Sequence, residues 1–394
     1  MFANKYLLKN LNEALISEGP ERDLGIIVVI PCFKEPDILQ TLQSLAQCKL
    51  PECLVEVIVL VNHSEVASES VKEFNQNTID EIQDCIQQRI NKRLRFYAIG
   101  PVEFKKKWAG AGLARKKGMD EAVRRFNLLD KKDAIIVSLD ADTLVEPDYL
   151  VEIEKHFQQN PKQVGATIAF QHQKTDISTL HLKGIELYEK YLLYYKMALQ
   201  FTGYPHAMFT IGSAFAVRAD AYVKRGGMNR RQAGEDFYFL QNLVQIGKIG
   251  EIFSTTVHPS ARLSDRVPFG TGPVLSRWMR GEEDLTKTYS FKSYLDLKQL
   301  FDIHTELFQI SRDEFEKRLK ILPDSIREFL LADNFWEELG ELNKNCTTGK
   351  VFNLRFFQKF NAFKILKYLN FAAEHFYPKA DLPEQISWLQ KCEI

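Results

Sequence analysis

Apolar and polar segments alternate regularly over the first 170 residues of the chain. The apolar runs are short, rich in β-branched residues and apolar throughout, as in "IIVVI" before Pro31 and "AIIVSL" before Asp140. Such runs predict strands that are buried on both faces of a parallel sheet, and the amphipathic segments between them predict helices. The predicted strands are 24–31, 55–61, 93–100, 134–139 and 164–170, and the predicted helices are 37–47, 67–91 and one that begins at Gly112.

This alternation is typical of one fold class. Repeated strand–helix–strand units predict an open, mostly parallel α/β sheet with helices on its faces. Ligands of such sheets bind beyond the carboxyl ends of the strands. The segments that directly follow the strands are therefore where functional residues are expected.

The second half of the chain has a different pattern. A long amphipathic helix is predicted at about 177–200, a further strand within 206–222, and a helix that begins at "GEDFYFL". After Pro268 the chain is predicted to be helical to its end. We therefore expect a first domain over 1–280, with a nucleotide-binding half at about 26–143 and an acceptor half at about 144–280, and a helical C-terminal extension over 281–394.

Composition narrows the function classes. The 52 basic and 52 acidic residues balance, which argues against a nucleic-acid-binding protein. The six cysteines form no CxxC pair, so reduced thiols and a cytoplasmic location are expected. No apolar run is long enough to cross a bilayer, although contact with a membrane surface remains open.

Two acids stand directly after the predicted strand 134–139. Asp140 and Asp142 are separated by one residue, and both can point into the crevice at the sheet edge. Carboxylate oxygens suit Mg²⁺ or Mn²⁺, ions that also bind diphosphate oxygens. The alternative is a simple turn before a helix capped by Asp148.

A second acidic pair, Glu235 and Asp236, opens a predicted helix. A carboxylate within hydrogen-bond reach of a sugar hydroxyl is a suitable general base. The alternative is that both acids only favour the positive end of the helix dipole after Gly234.

Taken in order, the motifs "IPCFKE" (Pro31, Glu35), "LDAD" (Asp140, Asp142) and "GEDFYFL" resemble those of GT-A glycosyltransferases of the family 2 kind over about 26–280. The resemblance implies a GT-A fold and a metal-bound nucleotide diphosphate as the leaving group. It also implies Asp236 as the catalytic base, Glu235 as its neighbour, and Asp142 as the more direct metal ligand.

The same resemblance implies roles for further residues. His258 would be a third metal ligand, and Asn62, where many members have Asp, would contact the nucleotide. Independently of the resemblance, the cluster with Arg262 and Arg266 is dense in anion-binding groups and could clamp the donor diphosphate or an acidic acceptor, and 262–272, with two glycines and Pro268, could instead form a lid. The implied donor-binding residues are Pro31, Glu35, Asn62, Gly110, Gly112, Arg115, Asp140, Arg262 and Arg266.

The expected function is therefore transfer of a single sugar from a nucleotide-diphosphate sugar to a sugar, lipid or small-molecule acceptor, with Mg²⁺ or Mn²⁺ as cofactor. Inversion is expected; a retaining enzyme and an inactive, glycosyltransferase-like binding module are the alternatives. A nucleotidyltransferase is disfavoured, because no glycine-rich loop follows the first strand.

The C-terminal stretch "FNLRFFQKFNAFKILKYLNFAAEHF" places aromatic and basic residues at helical spacing. It predicts either a helix that lies on a membrane and reaches a lipid-linked acceptor, or a packing face inside the protein.

Overall fold

We analysed a computed structural model of the chain, which describes residues 1–10, 13–87, 91–232, 234–264 and 270–392. The strands are β1 (Leu24–Cys32), β2 (Leu54–Ser64), β3 (Leu94–Phe104), β4 (Ile135–Ser138), β5 (Leu144–Val145), β6 (Gly165–Phe170), β7 (Phe215–Arg218), β8 (Ile249–His258), β9 (Lys287–Thr288) and β10 (Ala380–Asp381).

The helices follow the same chain order. They are α1 (Asn4–Asn10), α2 (Ile38–Ala46), α3 (Glu69–Gln87), α4 (Ala111–Leu128), α5 (Tyr149–Gln159), α6 (Thr179–Phe201), α7 (Ala219–Lys224), α8 (Glu235–Leu243), α9 (Thr271–Met279), α10 (Phe291–Asp302), α11 (Arg312–Ile321), α12 (Asp324–Ala332), α13 (Phe335–Lys344), α14 (Gly349–Lys359), α15 (Ala362–His375) and α16 (Leu382–Cys392).

Two compact units divide the chain. The first comprises 1–177 and 210–276, and the second comprises 178–209 and 277–394. Helix α6 belongs to the second unit. The domain boundary at residue 280 and the two halves of the first domain stay predictions.

The first unit is built on a single large sheet. Its strand order is β3-β2-β1-β4-β7-β6-β8-β5. Pairs β1–β2, β2–β3, β1–β4 and β6–β8 are parallel, whereas β7 runs antiparallel to both β4 and β6. The predicted α/β fold, a mostly parallel sheet flanked by helices, is confirmed.

Helices cover both faces of this sheet. Alternate residues of β1, such as Val28 and Ile30, belong to one hydrophobic core together with residues of α2, α3 and α5. On the other face α4 lies so close to β1 that a Cβ on Gly118 would stand 2.4 Å from Cγ1 of Val29. The covered faces leave the strand ends as the place for polar side chains.

The second unit is helical and has its own core. Aromatic residues and leucines make up most of that core, and Phe352, Phe356 and Phe360 of the C-terminal stretch are fully buried in it. The structure therefore favours the packing-face interpretation of this stretch, although Leu354 of α14 is 55% exposed. Within the described ranges, none of the helices combines the length and the apolar character needed to span a bilayer.

Two elements differ from the prediction. The strand expected within 206–222 is limited to β7, because 207–211 has no regular secondary structure and 212–214 forms a turn in which the Gly212 carbonyl accepts a hydrogen bond from Ser138. Strand β8 was not predicted, because its inward residues alternate with Thr and Ser rather than forming a continuous apolar run.

Candidate active site

The carboxyl edge of the sheet in the first unit gathers most of the predicted site residues. Glu35 follows β1, Asp140 and Asp142 follow β4, His258 ends β8, and Asp236 lies in the first turn of α8. These residues are far apart in sequence, and two arginines form contacts with Glu35, Asp140 and Asp142 among them.

The first connection is the Arg115 centre, which consists of Arg115, Ser138, Asp140, Gly212 and Glu235. Arg115 is only 2% exposed. Its Nε donates to Oε1 of Glu235 at 3.2 Å, and its Nη2 donates to Oδ1 of Asp140 at 2.9 Å. Its Nη1 donates to the Ser138 hydroxyl and, at 3.1 Å, to the carbonyl of Gly212. One buried cation thus joins the two acidic motifs.

The electrostatic balance of this centre favours the charged arginine. Burial lowers the pKa of Arg115, but the carboxylates of Asp140 and Glu235 outweigh burial and raise this pKa overall. Ser138 adds a second link, since its hydroxyl donates to the Gly212 carbonyl at 2.6 Å. The centre therefore fixes the end of β4, the turn that contains Gly212 and the start of α8 relative to one another.

Glycines at the start of α4 permit the close approach of the segment before α8. A Cβ on Gly112 would lie 2.0 Å from the carbonyl oxygen of Arg231, and one on Gly110 would lie 3.2 Å from Cα of Gln232. Gly110, Gly112 and Arg115 were predicted to contact the nucleotide. In the structure these glycines contact the segment before α8, and Arg115 contacts the acids; their donor-binding role stays a prediction.

The adjacent acids of α8 have different environments. Glu235 is 4% exposed and bound to Arg115, whereas Asp236 is half-buried and keeps some access to solvent. Burial, together with the negative charge of Glu235, raises the pKa of Asp236 to about 7, although Arg115 and the Phe237 amide oppose this shift. The amide of Phe237 donates to Oδ1 of Asp236 at 2.7 Å. A carboxyl with a pKa near neutrality is suited to accept a proton.

The second connection is the Arg262 centre, which consists of Arg262, Glu35, Asp37 and Asp142. Arg262 makes a two-pronged contact with Glu35, donating from Nη1 to Oε1 at 2.7 Å and from Nη2 to Oε2. The same Nη2 donates to Oδ2 of Asp142 at 3.1 Å, and Nη1 lies 3.6 Å from Oδ2 of Asp37. The pKa of Arg262 is raised by its bond with Glu35 against the effect of burial. Glu35 is 3% exposed, whereas the Arg262 side chain is 26% exposed.

His258 is held between two oxygen atoms. Its Nδ1 lies 3.0 Å from the carbonyl oxygen of Gln171, and its Nε2 lies 2.8 Å from Oε1 of Glu146. Both ring nitrogens thus face protein oxygens at hydrogen-bond distance. The predicted ligand role of His258 would require these bonds to change, and it stays a prediction.

The two acids after β4 fit a divalent cation by their chemistry. Both offer carboxylate oxygens, and the Asp140 side chain is 37% exposed, with Oδ2 making no hydrogen bond to the described residues. Oδ2 of Asp142 accepts a hydrogen bond from Arg262. No group of three His, Cys, Asp or Glu side chains suited to a metal occurs in the described part of the chain. Mg²⁺ commonly completes its coordination with water and substrate phosphates, so two protein carboxylates are a sufficient protein contribution.

The remaining predicted donor residues lie at the ends of β1 and β2. Pro31 pairs with Leu60 in the sheet. Asn62 is 2% exposed, and its Nδ2 donates to the carbonyl of Cys32 at 2.9 Å. Asn62 thus stabilises the turn that carries Glu35. Arg266 lies outside the described residues.

Several residues of the site were not predicted. Gln173 donates from Nε2 to the carbonyls of Asp142 at 3.0 Å and His258 at 2.7 Å, which joins the end of β4 to the end of β8. Ser138 had a sequence signal, since it interrupts an otherwise apolar strand at a buried position. Glu146 and Gln173 had none, because their partners are distant in sequence.

One family profile matches part of the chain. Residues 135–296 match the profile described as glycosyl transferase family group 2. No curated protein sequence matches the chain. Among solved structures, the chain is similar to S. aureus TarS 1-349 in complex with UDP-GlcNAc, with 10% identity, a TM-score of 0.44 and coverage of 86% of this chain and 91% of that one.

A second similar structure is the mannosyltransferase PcManGT from Pyrobaculum calidifontis in complex with GDP-Man and Mn²⁺. It shares 12% identity, with a TM-score of 0.39 and coverage of 94% of this chain and 91% of that one. The profile match includes β4, the Asp140–Asp142 motif, α8 and β8. The matched segment is therefore similar to glycosyl transferase family group 2, and it contains both acidic pairs, Asp140 with Asp142 and Glu235 with Asp236.

Proposed function

We propose that the protein transfers a single sugar from a nucleotide-diphosphate sugar to an acceptor hydroxyl with inversion at the anomeric carbon, and that Asp236 is the general base. This proposal rests on the different environments of Glu235 and Asp236. Glu235 is buried on Arg115, whereas Asp236 keeps solvent access and has a pKa raised to about 7.

Each group has a separate role in the proposed reaction. Asp236 accepts the proton of the acceptor hydroxyl while the hydroxyl oxygen attacks the anomeric carbon, and the bond from that carbon to the diphosphate oxygen breaks. The bond between Arg115 and Glu235 fixes the first turn of α8, which carries Asp236. Positioning of this kind lowers the barrier by fixing the reacting groups before the reaction.

A divalent cation fits the same scheme. Asp140 and Asp142 would hold Mg²⁺ or Mn²⁺, which when bound would neutralise negative charge on the leaving diphosphate. Arg262 is placed to exchange its contact with Asp142 for a phosphate oxygen of the donor, since a guanidinium binds both anions in the same geometry.

We propose the cytoplasm as the location, which the expectation of reduced thiols supports. Contact with a membrane surface through the C-terminal helices is a further proposal, supported by exposed apolar side chains such as Leu354. Co-sedimentation with liposomes would test it, and recovery of the wild-type chain in the supernatant would exclude it.

The proposed reaction is tested by a panel of UDP-, GDP- and dTDP-sugars. Donor binding is measured by thermal shift with and without Mn²⁺, and slow transfer to water is measured by release of the nucleotide. We expect one donor class to stabilise the protein more with Mn²⁺ than without it, and NMR of the released sugar to show the inverted anomer first. A retained anomer would exclude the direct mechanism, and no response to any donor would exclude the transferase proposal.

A further inference from the structure

Two loops of the first unit form a dense patch of positive charge. Lys105, Lys106 and Lys107 lie between β3 and α4, and Arg230 and Arg231 lie between α7 and α8. All five side chains are exposed. We call this set the cationic patch. It stands out because the chain as a whole has a formal net charge of zero.

The two loops are fixed against each other. Gln232 donates from Nε2 to the carbonyl oxygens of Lys106 at 3.1 Å and Lys107 at 3.4 Å. Gly112 adds a close approach of the backbones, because any side chain there would collide with the Arg231 carbonyl. The cations are therefore held in one place rather than distributed over independent loops.

Two of the cations are also supported by aromatic rings. The Arg231 guanidinium lies 3.6 Å from the centre of the Tyr238 ring, and Nζ of Lys107 lies 4.8 Å from that of Trp108. A cation packed on a ring loses less conformational freedom on binding an anion and keeps its donors available.

The patch lacks compensating acids. Throughout the ranges that the structure describes, none of these five side chains forms an ion pair. Glu65 accepts a hydrogen bond from the backbone amide of Lys106 at 2.9 Å rather than from a lysine side chain. Five like charges repel one another, so the arrangement is favourable mainly when an anion is bound.

The patch lies near the start of α8, the helix that carries the proposed base. Arg231 precedes Glu235 by four residues, and Gly112, which contacts the Arg231 carbonyl, would place a Cβ 3.2 Å from the Cβ of Glu235. An anion on the patch would thus be close in the fold to the first turn of α8, which carries Asp236. That position favours a substrate over a partner that only docks.

We propose that the cationic patch binds phosphate groups of the acceptor, so that the acceptor is a molecule with several phosphates. This inference rests on the proposed function. Lys and Arg side chains form short, charge-assisted hydrogen bonds with phosphate oxygens, and several cations favour an acceptor with more than one phosphate. Trp108, which is 36% exposed, offers an apolar surface beside them.

The test uses inorganic tripolyphosphate as the probe, with binding measured by calorimetry on the full chain. Wild type should bind it with an affinity that falls as salt rises. The double variant R230Q/R231Q and the triple variant K105Q/K106Q/K107Q should each bind about tenfold more weakly or worse. The control K317Q/K320Q/K344Q removes three exposed lysines of the second unit and should bind like wild type.

Further measurements separate this proposal from its competitors. The patch variants should keep the wild-type melting temperature and the wild-type rate of donor hydrolysis, because no acceptor takes part in that reaction. Competition between tripolyphosphate and the donor would assign the patch to the donor diphosphate and overturn the proposal. Equal binding by the variants and wild type would also overturn it.

Vesicles distinguish the source of the phosphate. If wild type binds phosphatidylglycerol vesicles but not tripolyphosphate, and the patch variants lose that binding, the surface docks on a membrane and the proposal is wrong. If tripolyphosphate binds at the patch while no nucleotide sugar is hydrolysed, the anion site stands and the proposed transferase reaction fails instead.

Discussion

The Arg115 and Arg262 centres use the same chemistry in two different environments. Each arginine connects a carboxylate after β4 to an acid from another part of the sheet edge. The Arg115 side chain is 3% exposed, whereas that of Arg262 is 26% exposed. The buried centre is therefore expected to be a fixed support for the catalytic acids, and the more exposed centre to be able to rearrange when a donor binds.

Removing the buried cation should have the largest effect on stability. Arg115→Met leaves Glu235 and Asp140 without their cation, and the loss of one partner from a buried pair costs about 3–5 kcal/mol. Chemical denaturation measures this cost. Arg115→Lys keeps the charge and should recover part of it; a loss below about 1 kcal/mol for Arg115→Met would show that the centre is not a structural support.

The equivalent change in the more exposed centre should cost less. Arg262→Met should lower the free energy of unfolding by about 2 kcal/mol, because Glu35 loses its partner but solvent reaches the site. Arg262→Gln should weaken donor binding, with KM for the donor about tenfold higher at little change in kcat, if Arg262 contacts the diphosphate. An unchanged KM would assign Arg262 to structure alone.

The titration of Asp236 should make the free energy of unfolding depend on pH. Its folded pKa, about 7, is above the ordinary value of 3.8, so the stabilising effect of its protonated form is present below about pH 4 and is lost as the pH rises through 7. Asp236→Asn should therefore be more stable than wild type at pH 8, by on the order of 1–2 kcal/mol, and should match it near pH 4. A difference that does not change with pH would contradict the raised pKa.

Replacement of His258 should have the smallest effect on stability. Its contact with the 45% exposed side chain of Glu146 contributes about 0.5 kcal/mol. His258→Gln should be nearly as stable as wild type and should keep the Mn²⁺ dependence of donor binding, because both ring nitrogens already bond protein oxygens. Loss of the Mn²⁺ dependence would restore the metal-ligand role that the sequence suggested.

Features that depend on residues close together in the chain could be predicted from the sequence. Strands that are apolar throughout located the sheet, and the sheet placed Asp140 and Asp142 at its carboxyl edge. The first turn of α8 likewise followed from "GEDFYFL". These features depend on residues close together in the chain, so spacing and periodicity are enough to predict them.

Long-range contacts were not predictable in the same way. Arg115 bonds Glu235 across 120 residues, and Arg262 bonds Glu35 across 227. Nothing in the local pattern distinguishes an arginine that binds a donor from one that supports an acid. For the same reason, Gln173 and the pairing of His258 with Glu146 became visible only in the folded chain.

The central claim is that Asp236 accepts the acceptor proton while the Arg115 centre holds it in place. The direct test is donor turnover by Asp236→Asn, with the nucleotide sugar that wild type hydrolyses fastest. The variant should bind this donor like wild type, yet its turnover should fall about 10²–10⁴-fold, and the wild-type rate should rise with pH through about 7. Wild-type turnover in the variant, with unchanged donor binding, would contradict the account.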